Sequence, residues 1–238
     1  MPECTSGRSR HDSVLSKLDH VSTANSCRRQ QTVLIPHLSR LLVRHPHVLE
    51  ILRLELSQTV GLGPNAPQPS RESLRHMEYL TSVVKESLRL YPPVPVNARA
   101  AKRETILPVG GGLDGCSPIL VRKGETVSYC VYAMHRRKDI YGDDAIAFRP
   151  ERWYNGALEG VGYGYLPFNA GPRTCLGQEF SLLEVSYTIA RVLQYYPFLT
   201  LPEDEPTTEI GMEKQRLTLV LAPEDGCRVK FHGSGVKE

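Results

Sequence analysis

The sequence predicts a mainly α-helical fold with a minor β part, and three observations support this class. Apolar residues recur at helical spacing over much of 33–90 and again after residue 177. Short β-prone pieces separated by glycine-containing turns lie between these two regions. A segment over 136–166 shows neither period. Helices followed by a few short strands are typical of one helical core with a small sheet.

The composition is that of a folded globular chain. With 40% hydrophobic and 23% charged residues, 238 residues are enough to bury a hydrophobic core. The formal net charge of +3 is too small to favour nucleic acid or an anionic membrane surface as a partner. No stretch reaches the roughly 20 apolar residues that cross a bilayer, and the N-terminus lacks the apolar core of a signal peptide. We therefore expect no nucleic-acid partner, no membrane span and, as written, a cytoplasmic chain.

The helices are predicted from apolar stripes and from the residues that start and stop them. Residues 1–32 are polar without a period and are predicted to form a flexible arm. A first helix follows, with the apolar stripe Ile35, Leu38, Leu41 and Leu42. Pro46 starts a second helix, whose stripe is Val48, Leu49, Leu52 and Leu56. A loop over 61–70 precedes a third helix over 73–90.

The rest of the chain is predicted to alternate between short strands and loops before one more helix. Extended pieces are expected over 94–101, 105–107, 119–121 and 126–129. A long helix begins just after Cys175 and ends near Tyr195. Residues 218–221 and 228–231 are predicted to pair as a C-terminal hairpin.

Six cysteines are scattered along the chain: Cys4, Cys27, Cys116, Cys130, Cys175 and Cys227. Zinc sites and small disulfide frameworks use closer, paired cysteines, so this spacing disfavours both. Scattered cysteines suit a reducing compartment.

The segment over 168–177, which reads FNAGPRTCLG, is the most informative in the chain. Gly171 permits a tight turn, and Arg173 offers a charge-assisted bond to an anionic group. Cys175 lies at the start of the following helix, where free N–H groups stabilise a thiolate. Gly177 lets that helix lie close to a flat ligand, and Phe168 can shield the sulfur from water. A lone cysteine near glycines is more often a small buried loop residue, but each residue of this spaced set has a role if the thiolate binds a haem iron.

This spacing matches, without a gap, the signature F-x-x-G-x-R-x-C-x-G of the cytochrome P450 family, which the sequence closely resembles. A second match is the E-x-x-R pattern formed by Glu86 and Arg89, whose side chains share a helix face. A third is Pro-Glu-Arg-Trp over 150–153. The resemblance implies that Glu86, Arg89 and Arg152 form a buried structural triad that positions the cysteine loop.

The resemblance also assigns residues after the E-x-x-R helix. It implies that Arg99 is a second partner of a haem propionate, and that the substrate pocket is lined by Val94, Val96 and Ala98. An ordinary edge strand with an exposed arginine is the alternative for this segment. His135 is expected to be structural or near a propionate, not an iron ligand.

The likeness covers residues 34–230 and implies the C-terminal half of the cytochrome P450 fold, truncated at the N-terminus. The expected organisation is therefore an arm over 1–32 and a partial cytochrome P450 domain over 33–238, nearest to fungal alkane and fatty-acid hydroxylases. The family's oxygen-activating pattern A-G-x-D/E-T-T would fall near Gln31 and Thr32, where this sequence does not fit it.

The function implied is that of a haem-thiolate monooxygenase. It would insert one oxygen atom of O2 into a C–H bond of a lipophilic substrate, such as an alkane, a fatty acid or a secondary metabolite. The implied cofactor is haem b with its iron ligated by Cys175, and the electrons would come from NADPH through NADPH–cytochrome P450 reductase. Family members usually lie at the cytoplasmic face of the endoplasmic reticulum membrane. Two alternatives stay open: a truncated, inactive haem-binding remnant, and a peroxide-rearranging haem-thiolate enzyme, which the ordinary spacing of the cysteine loop disfavours.

Overall fold

The computed structural model describes residues 26–154, 156–158, 160–205, 208–218 and 220–233. The first helix, α1, spans Ser26–Arg44, so it begins earlier than the predicted boundary at residue 33. Residues 1–25 of the predicted arm lie outside the described residues, as do the side chains of Gln31 and Thr32. The division of the chain into an arm and a domain stays a prediction.

Four helices build the core, and short helical turns lie between the strands and the last helix. The helices are α1, α2 (Pro46–Thr59), α3 (Arg71–Arg75), α4 (Glu78–Leu90), α5 (Val131–Met134), α6 (Lys138–Tyr141) and α7 (Gln178–Tyr195). The 3-10 turns are Pro150–Trp153, Gly162–Gly164 and Gly171–Arg173. Within the described helices, none combines the length and the apolarity needed to cross a membrane.

The predicted apolar stripes form the core where α1, α2, α4 and α7 meet. Leu38 and Leu42 of α1, Leu52 of α2, Leu80 of α4 and Val185 of α7 are all fully buried in one hydrophobic cluster. Each buried leucine contributes about 1.5–3 kcal/mol relative to an exposed one. The helical stripes read from the sequence are therefore confirmed.

The predicted third helix is divided into two, α3 and α4. Ser70 caps α3, since its Oγ accepts a hydrogen bond of 3.0 Å from the backbone N of Ser73. The N-cap residue of α4, Met77, has no side chain able to do this. Instead the carboxylate of Glu55 on α2 accepts bonds of 2.7 and 2.9 Å from the backbone N of Tyr79 and Leu80. A helix start within the predicted helix is thus capped from a neighbouring helix.

Two antiparallel strand pairs follow α4. Strand β1 (Val96–Ala100) pairs with β4 (Thr126–Cys130), and β2 (Thr105–Gly111) pairs with β3 (Ser117–Val121). All four overlap the predicted extended pieces, but β2 runs to Gly111 and β3 begins at Ser117, so both are longer than predicted. Because neighbouring residues of a strand point to opposite faces, the odd-numbered residues of β1 share one face and the even-numbered ones the other.

The predicted C-terminal hairpin is wrong. The strands there are β5 (Phe198–Thr200), β6 (Gln215–Leu217), β7 (Leu221–Pro223) and β8 (Lys230–His232). Strand β7 pairs with β6, and β8 pairs with β5. The Phe231 ring of β8 lies 5.5 Å from that of Tyr196, and its register partner Leu199 is buried. Apolar contact with the end of α7 thus directs β8, whereas a turn signal alone predicted the wrong partner.

Candidate functional site

The cysteine loop, defined as residues 166–177, presents Cys175 just before α7. The backbone N of Cys175 donates a hydrogen bond of 2.9 Å to the carbonyl of Phe168, which closes the loop. Gly177 is the N-cap of α7, an 18-residue helix, and Cys175 lies two residues before that cap. The thiol is free and half-buried. The helix start and the cysteine therefore have the arrangement that the sequence predicts.

Two left-handed residues give the loop its shape. Gly171 has a φ of 68° and Asn169 a φ of 66°. A glycine adopts this conformation freely, so the predicted tight turn at Gly171 is present. A Cβ placed on Gly171 would meet no protein atom within 4 Å. The turn thus leaves open space beside the loop.

A cleft of about 120 Å³ opens next to the sulfur. It brings together four of the predicted site residues, Val94, Phe168, Arg173 and Cys175. The other lining residues are Asn97, Pro167 and Asn169. An arginine and a thiol in one cleft are the pair of groups that the haem-ligand motif requires.

The strand residues predicted for the site are divided between two faces of β1. Asn97 lines the cleft, and it is the register partner of Tyr129 on β4. Arg99 shares this face, with its guanidinium carbon 5.9 Å from the centre of the Tyr129 ring. Val96 and Ala98 are exposed on the opposite face and do not line the cleft. Their predicted role in a substrate pocket, and that of Arg99 at a propionate, stay predictions.

A buried carboxylate organises the segment that precedes the cysteine loop. Glu86 and Arg89 are fully buried and Arg152 is almost so. Glu86 accepts hydrogen bonds of 2.8–3.0 Å from Arg89 Nε and Nη2, Arg152 Nε, Trp153 Nε1 and the backbone N of Arg149. A buried ion pair is tolerated when its remaining polar atoms are satisfied in this way. The triad thus forms as the resemblance implies, with Trp153 as an additional member.

Arg89 and Arg152 also donate hydrogen bonds to backbone carbonyls of residues 135–145, which follow α5. Arg89 Nη1 donates to the carbonyls of His135 at 2.7 Å and Ala145 at 2.5 Å. Arg152 donates to the carbonyls of Tyr141 and Asp144, both at 3.1 Å. A chain region with only short helical turns is thereby held in one conformation.

His135 connects this network to the cysteine loop. Its Nε2 accepts a hydrogen bond of 2.8 Å from the backbone N of Leu166, so its Nδ1 carries the proton and donates to the carbonyl of Arg89 at 3.1 Å. The side chain is fully buried, and burial lowers the pKa of His135 to about 4. Both ring nitrogens are occupied by the backbone. This histidine is structural.

Sequence reasoning missed Asn97, Tyr129 and Asn169. Tyr129 Oη donates a hydrogen bond of 2.7 Å to Asn169 Oδ1, which joins β4 to the cysteine loop. The alternation along β1 placed Val96 and Ala98 on one face, but it did not say which face meets the loop. For Asn169 the only signal is its position among the turn residues of the motif.

These observations define a class of protein: a mainly α fold in which a loop before a long helix presents a cysteine to a cleft, beside a buried glutamate–arginine network. Residues 35–231 match the family model described as Cytochrome P450, so the chain belongs to the cytochrome P450 family. The predicted family and the mainly α fold class are confirmed.

Curated relatives agree with this assignment. A protein named Cytochrome P450 from Arthroderma benhamiae is 61% identical over 195 residues, which cover 81% of this chain and 39% of that protein. Cytochrome P450 52A5 of Candida maltosa is 48% identical over 80% of this chain and 36% of its own length. Cytochrome P450 52A13 of Debaryomyces hansenii is 50% identical with the same two coverages. The chain thus spans less than two fifths of the length of these relatives.

Proposed function

We propose that this chain forms the haem-thiolate half of a monooxygenase site, with Cys175 as the iron ligand. The observation that carries the proposal is the cleft in which the free, half-buried thiol of Cys175 lies together with Arg173. A soft thiolate suits iron, and an arginine suits the carboxylate of a propionate.

The residues present fit a haem. The position of a Cβ on Gly171 is open, so a flat ring can approach the loop backbone there. Phe168 lines the cleft and packs against the hydrophobic core, where it limits access of water to the sulfur. Cys175 would hold the iron, and Arg173 and Arg99 would bind the propionates.

When bound, haem with a thiolate ligand supplies the cleavage of O2 and the insertion of one oxygen atom into a C–H bond. The chain's own residues hold the ligand, orient it and exclude water. Resemblance to fungal alkane and fatty-acid hydroxylases supports a lipophilic substrate. By the same resemblance the partner is NADPH–cytochrome P450 reductase at the cytoplasmic face of the endoplasmic reticulum.

The proposal is tested by titrating haem into the purified chain and reducing the complex under carbon monoxide. We expect the red-shifted Soret band of a thiolate-ligated carbonyl complex, and its loss in Cys175→Ala. Cys116→Ala is the matched control, because Cys116 is also a free thiol but lies in the exposed loop between β2 and β3. An unchanged spectrum in Cys175→Ala contradicts the proposal.

Turnover is a separate measurement. Dodecanoic acid, NADPH and reductase are added to the haem complex, and hydroxylated product is measured by mass spectrometry. Product that depends on Cys175 supports the monooxygenase. Haem binding with native thiolate ligation but without product supports the alternative, a haem-binding remnant.

A further inference from the structure

We propose that Tyr129 is a positioning residue for the cysteine ligand. Its hydroxyl holds Asn169, and through Asn169 it holds the cysteine loop in the geometry that presents Cys175 to the cleft. The inference rests on the proposed function, because it concerns how the same site is kept in place.

The contact joins two elements that are 40 positions apart in the chain. Tyr129 Oη donates to Asn169 Oδ1 at 2.7 Å. Among the described residues, Asn169 is the only residue other than glycine that has a positive φ. Asparagine tolerates this region better than most residues, but the surroundings must still hold it there. The bond from Tyr129 is such a restraint.

Tyr129 also contacts the strand that carries a predicted haem partner. Its ring lies 5.9 Å from the guanidinium carbon of Arg99, and its register partner Asn97 lines the cleft. One side chain thus touches both the loop that bears Cys175 and the face of β1 that bears Arg99. A shift of Tyr129 would change the relation between these two elements.

Two side-chain bonds from other elements hold the loop, one at Leu166 and one at Asn169, and they differ in burial. At Leu166 the loop is bound by His135, which is fully buried and belongs to the arginine network. At Asn169 it is bound by Tyr129, and both residues are only half-buried. The backbone N of Cys175 bonds to the carbonyl of Phe168, the residue just before Asn169. Of the two side-chain bonds that tie the loop to other elements, the Tyr129 contact is therefore the one nearer to Cys175 along the chain.

The experiment compares Tyr129→Phe, Asn169→Gly and the double variant. Tyr129→Phe keeps the ring and removes the hydroxyl, and Asn169→Gly keeps the left-handed backbone and removes the acceptor. We expect each single change to raise the Kd for haem about fivefold, the effect of one lost hydrogen bond. The double variant should show no further increase, since both changes remove the same contact.

Two readouts separate positioning from a general loss of stability. The reduction potential of the bound haem should shift in both single variants. In the haem-free chain, amide hydrogen exchange over 169–175 should become faster. The matched control is Tyr91→Phe, which removes a hydroxyl bond of 2.6 Å to Glu213, outside the loop. It should change neither readout.

Each outcome decides one question. If the unmodified chain binds haem through Cys175 but Tyr129→Phe behaves like Tyr91→Phe, the positioning role is overturned and the proposed function stands. Additive effects in the double variant also overturn it. Failure of the unmodified chain to form a thiolate complex counts against the proposed function. In that case the exchange rates of the haem-free loop still test the Tyr129 contact.

Discussion

The arginine network around Glu86 and the cysteine loop are neighbours, joined through His135, but they differ in how they are held. Glu86 and Arg89 are 0% exposed, whereas Leu176, next to Cys175, is fully exposed. In the network, bonds from several parts of the chain converge on one carboxylate. The loop is tied to other elements by one side-chain hydrogen bond at Leu166 and one at Asn169, and backbone bonds such as that from Cys175 to Phe168 close it on itself.

The buried network supports the site, whereas the more exposed cysteine loop provides its binding surface. Charges can stay in a dry interior only where every polar atom has a partner, so the network is complete within this chain. A loop that binds a ligand must leave surface open for it. The two regions should therefore respond differently to substitution, to pH and to added haem.

The largest loss of stability is expected from Glu86→Gln. The change leaves Arg89 buried without its counter-charge and Arg152 with only the carboxylate of Asp144, at 3.3 Å, which should destabilise the chain by about 3–5 kcal/mol. Urea unfolding followed by circular dichroism measures this loss. The matched control is Glu125→Gln, because Glu125 and Arg122 form an exposed pair with the same i,i+3 spacing. An exposed pair contributes about 1 kcal/mol or less, so similar losses in the two variants would show that the network is not decisive.

A smaller effect is expected from pH, because two histidines are buried in the neutral form. Burial lowers the pKa of His135 and of His37 to about 4, whereas an unfolded histidine has a pKa of about 6.5. Below pH 6.5 these histidines bind protons in the unfolded chain but stay neutral in the folded chain. The contribution of these two neutral histidines to stability is therefore fully present above pH 6.5 and is lost as the pH falls toward 4.

At pH 5 we expect the free energy of unfolding to be lower than at pH 7 by about 2 kcal/mol for each of these histidines. Urea unfolding at the two pH values measures it. His37 stacks on Tyr91, outside the loop, so His37→Gln should reduce the difference in unfolding free energy between the two pH values by about 2 kcal/mol. Equal stability of the unmodified chain at pH 5 and pH 7 would contradict this reading of the buried histidines.

The smallest effect on stability is expected in the loop, from Gly171→Ala. A side chain in the left-handed region is strained by about 1–2 kcal/mol, although the space beside Gly171 is open. Gly226→Ala is a matched control, since Gly226 has a φ of 72° and equally open surroundings. Unfolding should show similar losses in both variants, whereas haem titration should show weaker binding only in Gly171→Ala. Weaker binding in both, or in neither, would argue against contact between the loop backbone and the ring.

Much of the helical core and the centre of the site could be read from residues close together in the chain. Apolar residues three and four positions apart must share a helix face, so the stripes of α1 and α2 became core. The motif around Cys175 is likewise a local spacing, and the loop geometry agrees with it. By contrast, the roles of Trp153 and Tyr129 depend on partners 67 and 40 positions away.

Periodicity reports which side of a helix or strand is apolar, because that follows from backbone geometry alone. It does not report which distant group will satisfy a polar atom, because many pairings of similar energy exist until the chain is packed. Glu55 caps α4 from another helix, β8 pairs with β5 instead of the strand before it, and the odd face of β1 meets the cysteine loop. These features follow from packing, where the burial of apolar surface determines which polar groups come within hydrogen-bonding distance.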